Sequence, residues 1–176
     1  MLDRSKDLRG SLKIEKLYDS FGDKIYHYLT VKLGSPNDAE DVLQEIFCRL
    51  VRYSFRLRLV RNPGAFVFKI ARNEAYRYLK NKTRKQGGCQ KNFELHEVIR
   101  STISGPKAEA EDMVARALSR LPDDQREIII LKVFEGLTFK EIASVCGLSI
   151  NTASSRYRYG LEKLRSLMEE RDEKPE

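Results

Sequence analysis

The stretch from 138 to 164 constrains the fold more than any other part of the chain, because it predicts a helix, a tight turn and a second helix. Thr138 and Glu141 match a capping box, in which a hydroxyl and a carboxylate each satisfy a backbone N–H at a helix start. Gly147 can adopt the left-handed conformation that ends a helix, and Ser149 can cap the next one. Two helices joined by a short turn therefore dominate this part of the fold.

The spacing of apolar residues in this stretch predicts which faces are buried. Ile142, Ala143 and Cys146 share one face of the first helix. The predicted inward stripe of the second helix is Ala153, Tyr157, Leu161, Leu164 and Met168. Its other positions carry Asn151, Thr152, Ser155, Arg156, Arg158 and Tyr159. Such polar and cationic groups suit the DNA major groove, so the stretch resembles a helix-turn-helix, although a helical hairpin with no DNA contact also fits.

The charge of the chain favours a polyanionic partner. Thirty-three Lys and Arg against 26 Asp and Glu give a net charge of +7 and a pI near 9.3, in the range of nucleic-acid binders. Between Arg49 and Lys91 the one acidic residue is Glu74, whereas 109–124 and the tail from Glu169 are acidic. We therefore expect the basic segment from Arg49 to Lys91 to contact the polyanion.

Neither a membrane span nor a metal site is predicted. No run of about twenty apolar residues occurs, and the N-terminal residues lack the apolar core of a signal peptide, so we expect a cytoplasmic protein without membrane insertion. Cys48, Cys89 and Cys146 show no metal-ligand spacing, and we expect Cys48 and Cys146 to be buried or half-buried. His27 and His96 are isolated. We expect no metal, no cofactor and no disulfide.

Two amphipathic helices are predicted at the start of the chain. Apolar residues at three- and four-residue intervals predict one long helix from Ile14 to Leu33, ending near Gly34. After a Ser-Pro break, Asn37 or Asp38 is expected to cap a second helix. Its predicted buried stripe is Ala39, Val42, Leu43, Ile46, Phe47 and Leu50. The opposite face carries Asp41, Gln44, Glu45 and Cys48, and from the pattern alone it is a solvated surface.

A third helix is predicted from about Ala65 to Lys82, with Phe66 and Phe68 assigned to the core. Its inward positions are Val67, Ile70, Ala71, Ala75, Tyr78 and Leu79. Its other face carries Lys69, Arg72, Asn73, Tyr76, Arg77, Lys80 and Arg84. A solvated face normally mixes both signs of charge, so this one-sided stripe favours nucleic acid, and Tyr76 could stack on an unpaired base.

The remaining pattern divides the chain into two helical units. Residues 86–106 are rich in Gly, Ser and polar side chains and predict a flexible linker, with at most a short helix around Phe93 to Ile99. Further helices are predicted up to Leu121 and from Pro122 to about Glu135, the latter burying Ile128, Ile129 and Val133. The predicted fold is all-α, with domains at 1–85 and 107–170 and an acidic tail at 171–176.

In this order the motifs resemble the bacterial sigma-70 family of initiation factors, in its small extracytoplasmic-function (ECF) group. The run DAEDVLQEIF at 38–47 looks like the region 2 helix that grips the clamp of RNA polymerase. The run IARN at 70–73 is similar to the start of the helix that recognises and melts the minus-ten element. Leu121-Pro122 with Gln125-Arg126, the run EIA at 141–143 and residues 149–156 look like region 4, which reads the minus-thirty-five element.

The resemblance implies a factor without enzymatic activity that binds core polymerase at the clamp coiled coil and the flap. It also implies contacts with double- and single-stranded promoter DNA, and it leaves open whether an anti-sigma factor exists. The implied polymerase contacts are Asp38, Glu40, Asp41, Gln44, Glu45 and Phe47. The implied minus-ten contacts are Lys69, Arg72, Asn73, Tyr76, Arg77, Lys80 and Arg84. The implied minus-thirty-five contacts are Arg126, Asn151, Thr152, Ser154, Ser155, Arg156, Arg158 and Tyr159.

Three departures and two alternatives accompany the resemblance. Phe66 to Phe68 stand where the family often has a Trp-Leu pair before the Ile-Ala of the third helix. At 151–156 the chain reads NTASSR where the family commonly has GTVKSR, so a phosphate-contacting lysine is missing at Ser154. Gly160 replaces a usual alanine, at a cost of up to ~1 kcal/mol in helix propensity. The first alternative function is a helix-turn-helix regulator that needs no polymerase. The second is a nuclease using the carboxylates of 38–45, which have no histidine partner.

Overall fold

The computed structural model describes residues 4–52, 60–86, 92–103 and 108–169, and every regular element in these ranges is helical. The helices are α1 Arg4–Leu33, α2 Pro36–Arg52, α3 Pro63–Gln86, α4 Asn92–Ile103, α5 Ala108–Arg120, α6 Asp123–Ile129, α7 Phe139–Cys146 and α8 Ile150–Glu169. A π-helical segment, Ile130–Phe134, continues α6. The predicted all-α class is confirmed. Within these ranges, no helix is both long enough and apolar enough to cross a membrane.

Helices α1, α2 and α3 form the N-terminal unit around a common core. All six residues of the predicted α2 stripe are buried, and Phe68 of α3 is buried beside Tyr28 of α1. Helix α1 ends at Gly34, whose φ of 67° confirms the predicted stop. Asn62 caps α3, since its Oδ1 accepts the N–H of Ala65 at 3.0 Å.

The predicted cap of α2 is wrong. The helix begins at Pro36, and the Ser35 hydroxyl accepts the backbone N–H of Asp38 at 3.3 Å. Proline suits this first helical position because its missing N–H would have no helical partner there. The serine therefore caps the helix, and the carboxylate of Asp38 turns to Lys82 of α3 at 2.7 Å.

The part of the predicted linker that the structure describes is helical. Helix α4 spans Asn92–Ile103, longer than the short helix expected around 93–99, and it packs against α1 and α5. Val98 and Ile99 are buried there. The described part of the segment is therefore packed helix and not free coil, because its apolar side chains have a core to join.

The C-terminal unit comprises α5 to α8, and its helix-turn-helix caps are confirmed. The Thr138 hydroxyl accepts the Glu141 N–H at 3.3 Å, and the Glu141 carboxylate accepts the Thr138 N–H at 2.7 Å. Gly147 takes a φ of 68°, and the Ser149 hydroxyl accepts the Thr152 N–H at 3.0 Å. The turn therefore orients α8 against the rest of the unit.

Two predicted inward positions of this unit are exposed instead. Val133 is 54% exposed because the π-helical segment adds a residue to the turn, which moves Val133 off the face where Ile130 and Leu131 are buried. Leu161 is 37% exposed, while Gly160 is buried against α6. An ideal Cβ at Gly160 would lie 3.0 Å from Cδ1 of Ile129, so the glycine permits a close approach of α8 to α6.

Candidate nucleic-acid and polymerase interfaces

The outer face of α3 presents most of the predicted minus-ten residues to solvent. Side chains exposed on this face are Lys69, Asn73, Tyr76, Arg77, Lys80 and Arg84. Arg77 is paired with Glu74 on the same helix, with Nη2 2.6 Å from Oε2. Arg72 departs from the set because it is half-buried.

Arg72 and Tyr76 lie in a polar cluster between the two units, which we call the Glu127 cluster: Tyr28, Lys32, Arg72, Tyr76, Asp123 and Glu127. The Tyr76 hydroxyl accepts N–H groups from Lys32 at 3.1 Å and from Arg72 at 3.3 Å. Both cations also lie over its ring, Lys32 Nζ at 4.5 Å and Arg72 Cζ at 4.6 Å from the centroid. The N-terminal unit thus gathers two positive charges around one phenol.

Glu127 of α6 meets this group from the C-terminal unit. Its Oε1 accepts the Tyr28 hydroxyl at 2.7 Å and Arg72 Nε at 3.2 Å, while its Oε2 lies 3.4 Å from Arg72 Nη2. Lys32 Nζ is 3.4 Å from Glu127 and 2.6 Å from Asp123. The Lys32 and Glu127 side chains are 4% and 3% exposed. The buried Glu127 carboxylate is therefore satisfied by hydrogen-bond donors of the N-terminal unit.

Burial and neighbouring charges set the protonation states of Lys32 and Tyr28 in this cluster. Burial alone would lower the pKa of Lys32, but Glu127 and Asp123 outweigh it and raise that pKa. Burial, with Glu127 beside it, raises the pKa of Tyr28 well above its usual value, so the phenol stays a hydrogen-bond donor. Lys32 therefore keeps its charge and Tyr28 keeps its proton at neutral pH.

Sequence reasoning missed Tyr28, Lys32 and Glu127 as cluster members, although a signal existed. Lys32 lies seven residues after Ile25 and four after Tyr28, at a position where the helical period places an inward side chain. Glu127 lies three residues before Ile130 and four before Leu131, so the helical period places it on their buried face as well. A charge on a predicted buried face indicates a buried partner, but the pattern does not name that partner.

Helix α8 exposes most of the predicted minus-thirty-five residues. Exposed members of the set are Asn151, Ser154, Ser155, Arg158 and Tyr159. Thr152 is half-buried and its hydroxyl lies 2.8 Å from that of Ser149. Arg156 is half-buried beside α6, with Nε 3.4 Å from Asp124 Oδ2. The open face of α8 is thus polar and cationic, as a major-groove helix requires.

Arg126 does not share this open face. Its side chain is 12% exposed, its Nη1 donates to the Ser119 carbonyl at 3.1 Å, and its Nη2 lies 3.5 Å from Asp123. To serve as the predicted minus-thirty-five contact, the Arg126 guanidinium has to leave these protein partners.

The outer face of α2 presents the acidic and amide groups of the predicted polymerase site. Its exposed side chains are Glu40, Asp41, Gln44, Glu45 and Cys48, so the expectation that Cys48 is buried or half-buried is wrong. Glu45 pairs with Arg49 at 2.7 Å. Phe47 does not belong to this face, because it is buried with its ring 5.0 Å from that of Tyr18. Asp38 is held by Lys82 and lies beside the face.

The described cysteines and histidines show no metal-binding arrangement. Cys146 is half-buried, and its burial raises the pKa of its thiol to about 11. His96 contacts Asp112 at 3.0 Å, and His27 is exposed. No grouping of three potential ligands exists among residues 4–52, 60–86, 92–103 and 108–169. Cys89 lies outside the described residues.

Comparison with known proteins covers both units. The model of Sigma-70 region 2 matches residues 17–85, and that of Sigma-70, region 4 matches residues 111–164. RNA polymerase sigma factor SigZ of Bacillus subtilis (strain 168) is 25% identical over 162 residues, covering 90% of this chain and 88% of the relative. The ECF RNA polymerase sigma-E factor of Escherichia coli (strain K12) is 31% identical over 133 residues, or 68% of each chain.

A solved structure shares the fold. The sigma factor RpoE from Bartonella quintana, in complex with the anti-sigma factor NepR, aligns with a TM-score of 0.65 at 21% identity. The alignment covers 90% of this chain and 96% of that one. The outer face of α3 lies within the first family match, and the open face of α8 lies within the second.

Proposed function

Because this chain belongs to the ECF group of the sigma-70 family, as its sequence motifs predicted, we propose how its surfaces divide the work of initiating transcription. It binds core RNA polymerase, contacts promoter DNA at two elements and helps to open the duplex. The observation that supports this most directly is the pair of polar, cationic helix faces on α3 and α8, one in each matched region. The proposed domains are 1–85 and 107–170, with α4 in the connecting segment.

The α3 face holds the opened strand of the minus-ten element. Lys69, Lys80 and Arg84 meet phosphates, and Tyr76, 40% exposed, stacks on an unpaired base. Stacking and phosphate contacts together offset the few kcal/mol that unstacking a base costs. The α8 face reads the upstream duplex, with Arg158 at phosphates and Ser155 and Arg156 at base edges.

The outer face of α2 docks on the clamp coiled coil of core polymerase, and the C-terminal unit docks on the flap. The catalytic metal and active site belong to the polymerase, so this chain performs no covalent chemistry. Its place of action is the cytoplasm, where core polymerase and promoter DNA are found. An anti-sigma factor is a further partner, by analogy with RpoE and NepR.

Promoter-dependent transcription tests the proposal, with bacterial core polymerase and this chain as the sole added factor. Asp41→Arg combined with Gln44→Ala should abolish core binding in a pull-down and should abolish transcripts. Asp19→Arg introduces the same charge change at an exposed site on α1 and serves as the matched control. Unchanged core binding by the double variant would remove α2 from the polymerase interface.

The competing regulator hypothesis makes a different prediction. A helix-turn-helix regulator would bind its duplex site without polymerase and would gain no activity from core. The match to region 2 across α1 to α3 disfavours it, because such a regulator needs no polymerase-docking unit. Transcripts that depend on both the chain and core would exclude it directly.

A further inference from the structure

The Glu127 cluster contains an anion site that belongs to the N-terminal unit alone. Lys32 of α1 and Arg72 of α3 both donate to the hydroxyl of Tyr76, which lies one helical turn after Arg72. These three residues, which we call the Tyr76 anion site, all belong to the N-terminal unit, and their contacts with one another do not pass through Glu127. Two cations and a phenol so arranged match the oxygens of a carboxylate or a phosphate equally well.

The occupant of this site in the free chain is a carboxylate from the other unit. Glu127 receives hydrogen bonds from Arg72 and Tyr28, and Lys32 lies 3.4 Å from it. Asp123 adds a second negative charge 2.6 Å from Lys32. A second contact, from Asn62 Nδ2 to Glu141 Oε1 at 2.7 Å, joins the same two units nearby. The C-terminal unit therefore covers part of the α3 surface to which the minus-ten strand is assigned.

We propose that Glu127 stands in for a phosphate of the promoter strand, so that the C-terminal unit and single-stranded DNA compete for Lys32, Arg72 and Tyr76. The inference rests on the strand-holding role proposed for α3. It adds Lys32, on a different helix, to the strand-binding residues. It also makes promoter opening conditional on separation of the two units, which the docking of each unit on polymerase favours.

The competition has a measurable consequence for the free chain. When only a fraction of the molecules has an open site, the apparent dissociation constant is the intrinsic one divided by that fraction. Glu127→Gln keeps the shape of the side chain and removes its charge, which weakens its hold on Lys32 and Arg72. The open fraction therefore rises, and the apparent affinity for a DNA strand rises with it.

The test measures binding of a fluorescein-labelled single-stranded DNA of about 12 nucleotides to the full chain by anisotropy. Glu127→Gln should bind ~5- to 10-fold more tightly than the wild type. Glu109→Gln makes the same charge change at an exposed position of α5 and should leave the affinity unchanged. Equal affinities for Glu127→Gln and Glu109→Gln would overturn the competition. A larger radius of gyration for Glu127→Gln by X-ray scattering is also required.

Three further variants separate this inference from the function it rests on. In the Glu127→Gln background, Arg72→Gln and Lys32→Gln should each weaken strand binding, and so should Lys80→Gln on the exposed face of α3. If Lys80→Gln has no effect there, the strand-holding role of α3 is wrong. If Lys80→Gln weakens binding but Arg72→Gln and Lys32→Gln do not, the role stands and the Tyr76 anion site is wrong. If Arg72→Gln weakens binding but Glu127→Gln equals the wild type, the role stands and the competition is wrong. Asp123→Asn, at a 55% exposed position, repeats the test of competition without altering a buried residue.

Discussion

Glu135 is a buried carboxylate whose ionisation opposes folding. It follows the π-helical segment, is 4% exposed, and burial raises its pKa from 4.5 to about 8, although Lys24 of α1 lowers it slightly. An acid with a raised pKa in the folded state contributes stability that is complete below the unfolded value. That contribution is lost as the pH rises from about 4.5 to about 8.

Glu135→Gln should therefore flatten the pH dependence of stability. The free energy of unfolding of the wild type should fall from about pH 5 to pH 8, by at most ~1.4 kcal/mol per pH unit from this group. The variant lacks the titrating group and should lose less over the same range. Urea unfolding at several pH values measures both. Glu162→Gln, at an exposed site, should reproduce the wild-type curve, and parallel curves for Glu135→Gln and the wild type would contradict the assignment.

Gly160 lies where α8 packs closely on α6. An added Cβ would lie 3.0 Å from Ile129 Cδ1 and 3.3 Å from Gln125 Cβ. Gly160→Val should destabilise the chain by ~1 to 3 kcal/mol through overpacking. Gly160→Ala should change stability by less than about 1 kcal/mol, because gained helix propensity opposes the tight contact. Urea unfolding measures both, with Ser166→Val as the exposed control on α8. A Gly160→Val variant as stable as this control would show that the helices can separate.

At the scale of elements, we expect one arginine of α8 to discriminate between bases. Arg156 is braced by Asp124 of α6, whereas Arg158 is 65% exposed over the ring of Tyr159. Arg156→Ala should lose ~1 to 3 kcal/mol of binding on the preferred upstream duplex and much less on other sequences. Arg158→Ala should weaken binding to all duplexes alike. Titrations with both duplexes test this, and a uniform loss for Arg156→Ala would assign it to phosphate.

Helix α4 contributes to stability although it lies in the segment between the units. Ile99 is fully buried, so Ile99→Ala should cost ~2 to 4 kcal/mol of unfolding free energy. The exposed neighbour Glu97→Ala should cost little. Chemical denaturation of the two variants decides the point. Equal stabilities would mean that α4 behaves as the flexible tether that its sequence predicted.

Local chemistry explains which elements the sequence predicts well. The capping box at Thr138, the left-handed Gly147 and the Ser149 cap each depend on residues a few positions apart, so their pattern is readable without the fold. The exposure of Val133 could not be predicted from the sequence. A π-helical turn shifts the buried face of the helix, and no glycine or proline in the segment signals that shift. The placement of Phe47 in the core follows the stripe, whereas its assignment to the polymerase face came from the family motif.

At the scale of the whole molecule, the sequence pattern could not predict the contacts between the two units. Tyr28 and Glu127 are 99 positions apart, and nothing in either neighbourhood specifies the other. The charge pattern predicted that Arg72 and Tyr76 lie on a nucleic-acid face. In the free chain, however, part of that face packs against the C-terminal unit. The candidate site is thus predictable as a set of side chains, while its accessibility depends on how the two units pack.

The Tyr28–Glu127 bond should couple the unfolding of the two units. Tyr28→Phe keeps the ring that packs edge to face on Phe68 at 5.9 Å and removes the hydroxyl that donates to Glu127 at 2.7 Å. A buried acceptor that loses a donor costs ~1 to 3 kcal/mol, and the lower end applies because Arg72 still donates. Since the loss falls on the shared interface, calorimetry should show one cooperative transition for the wild type and a broader or split transition for Tyr28→Phe. Tyr26→Phe, on the same helix, is the control, and identical transitions in all three proteins would mean that the units unfold independently of this bond.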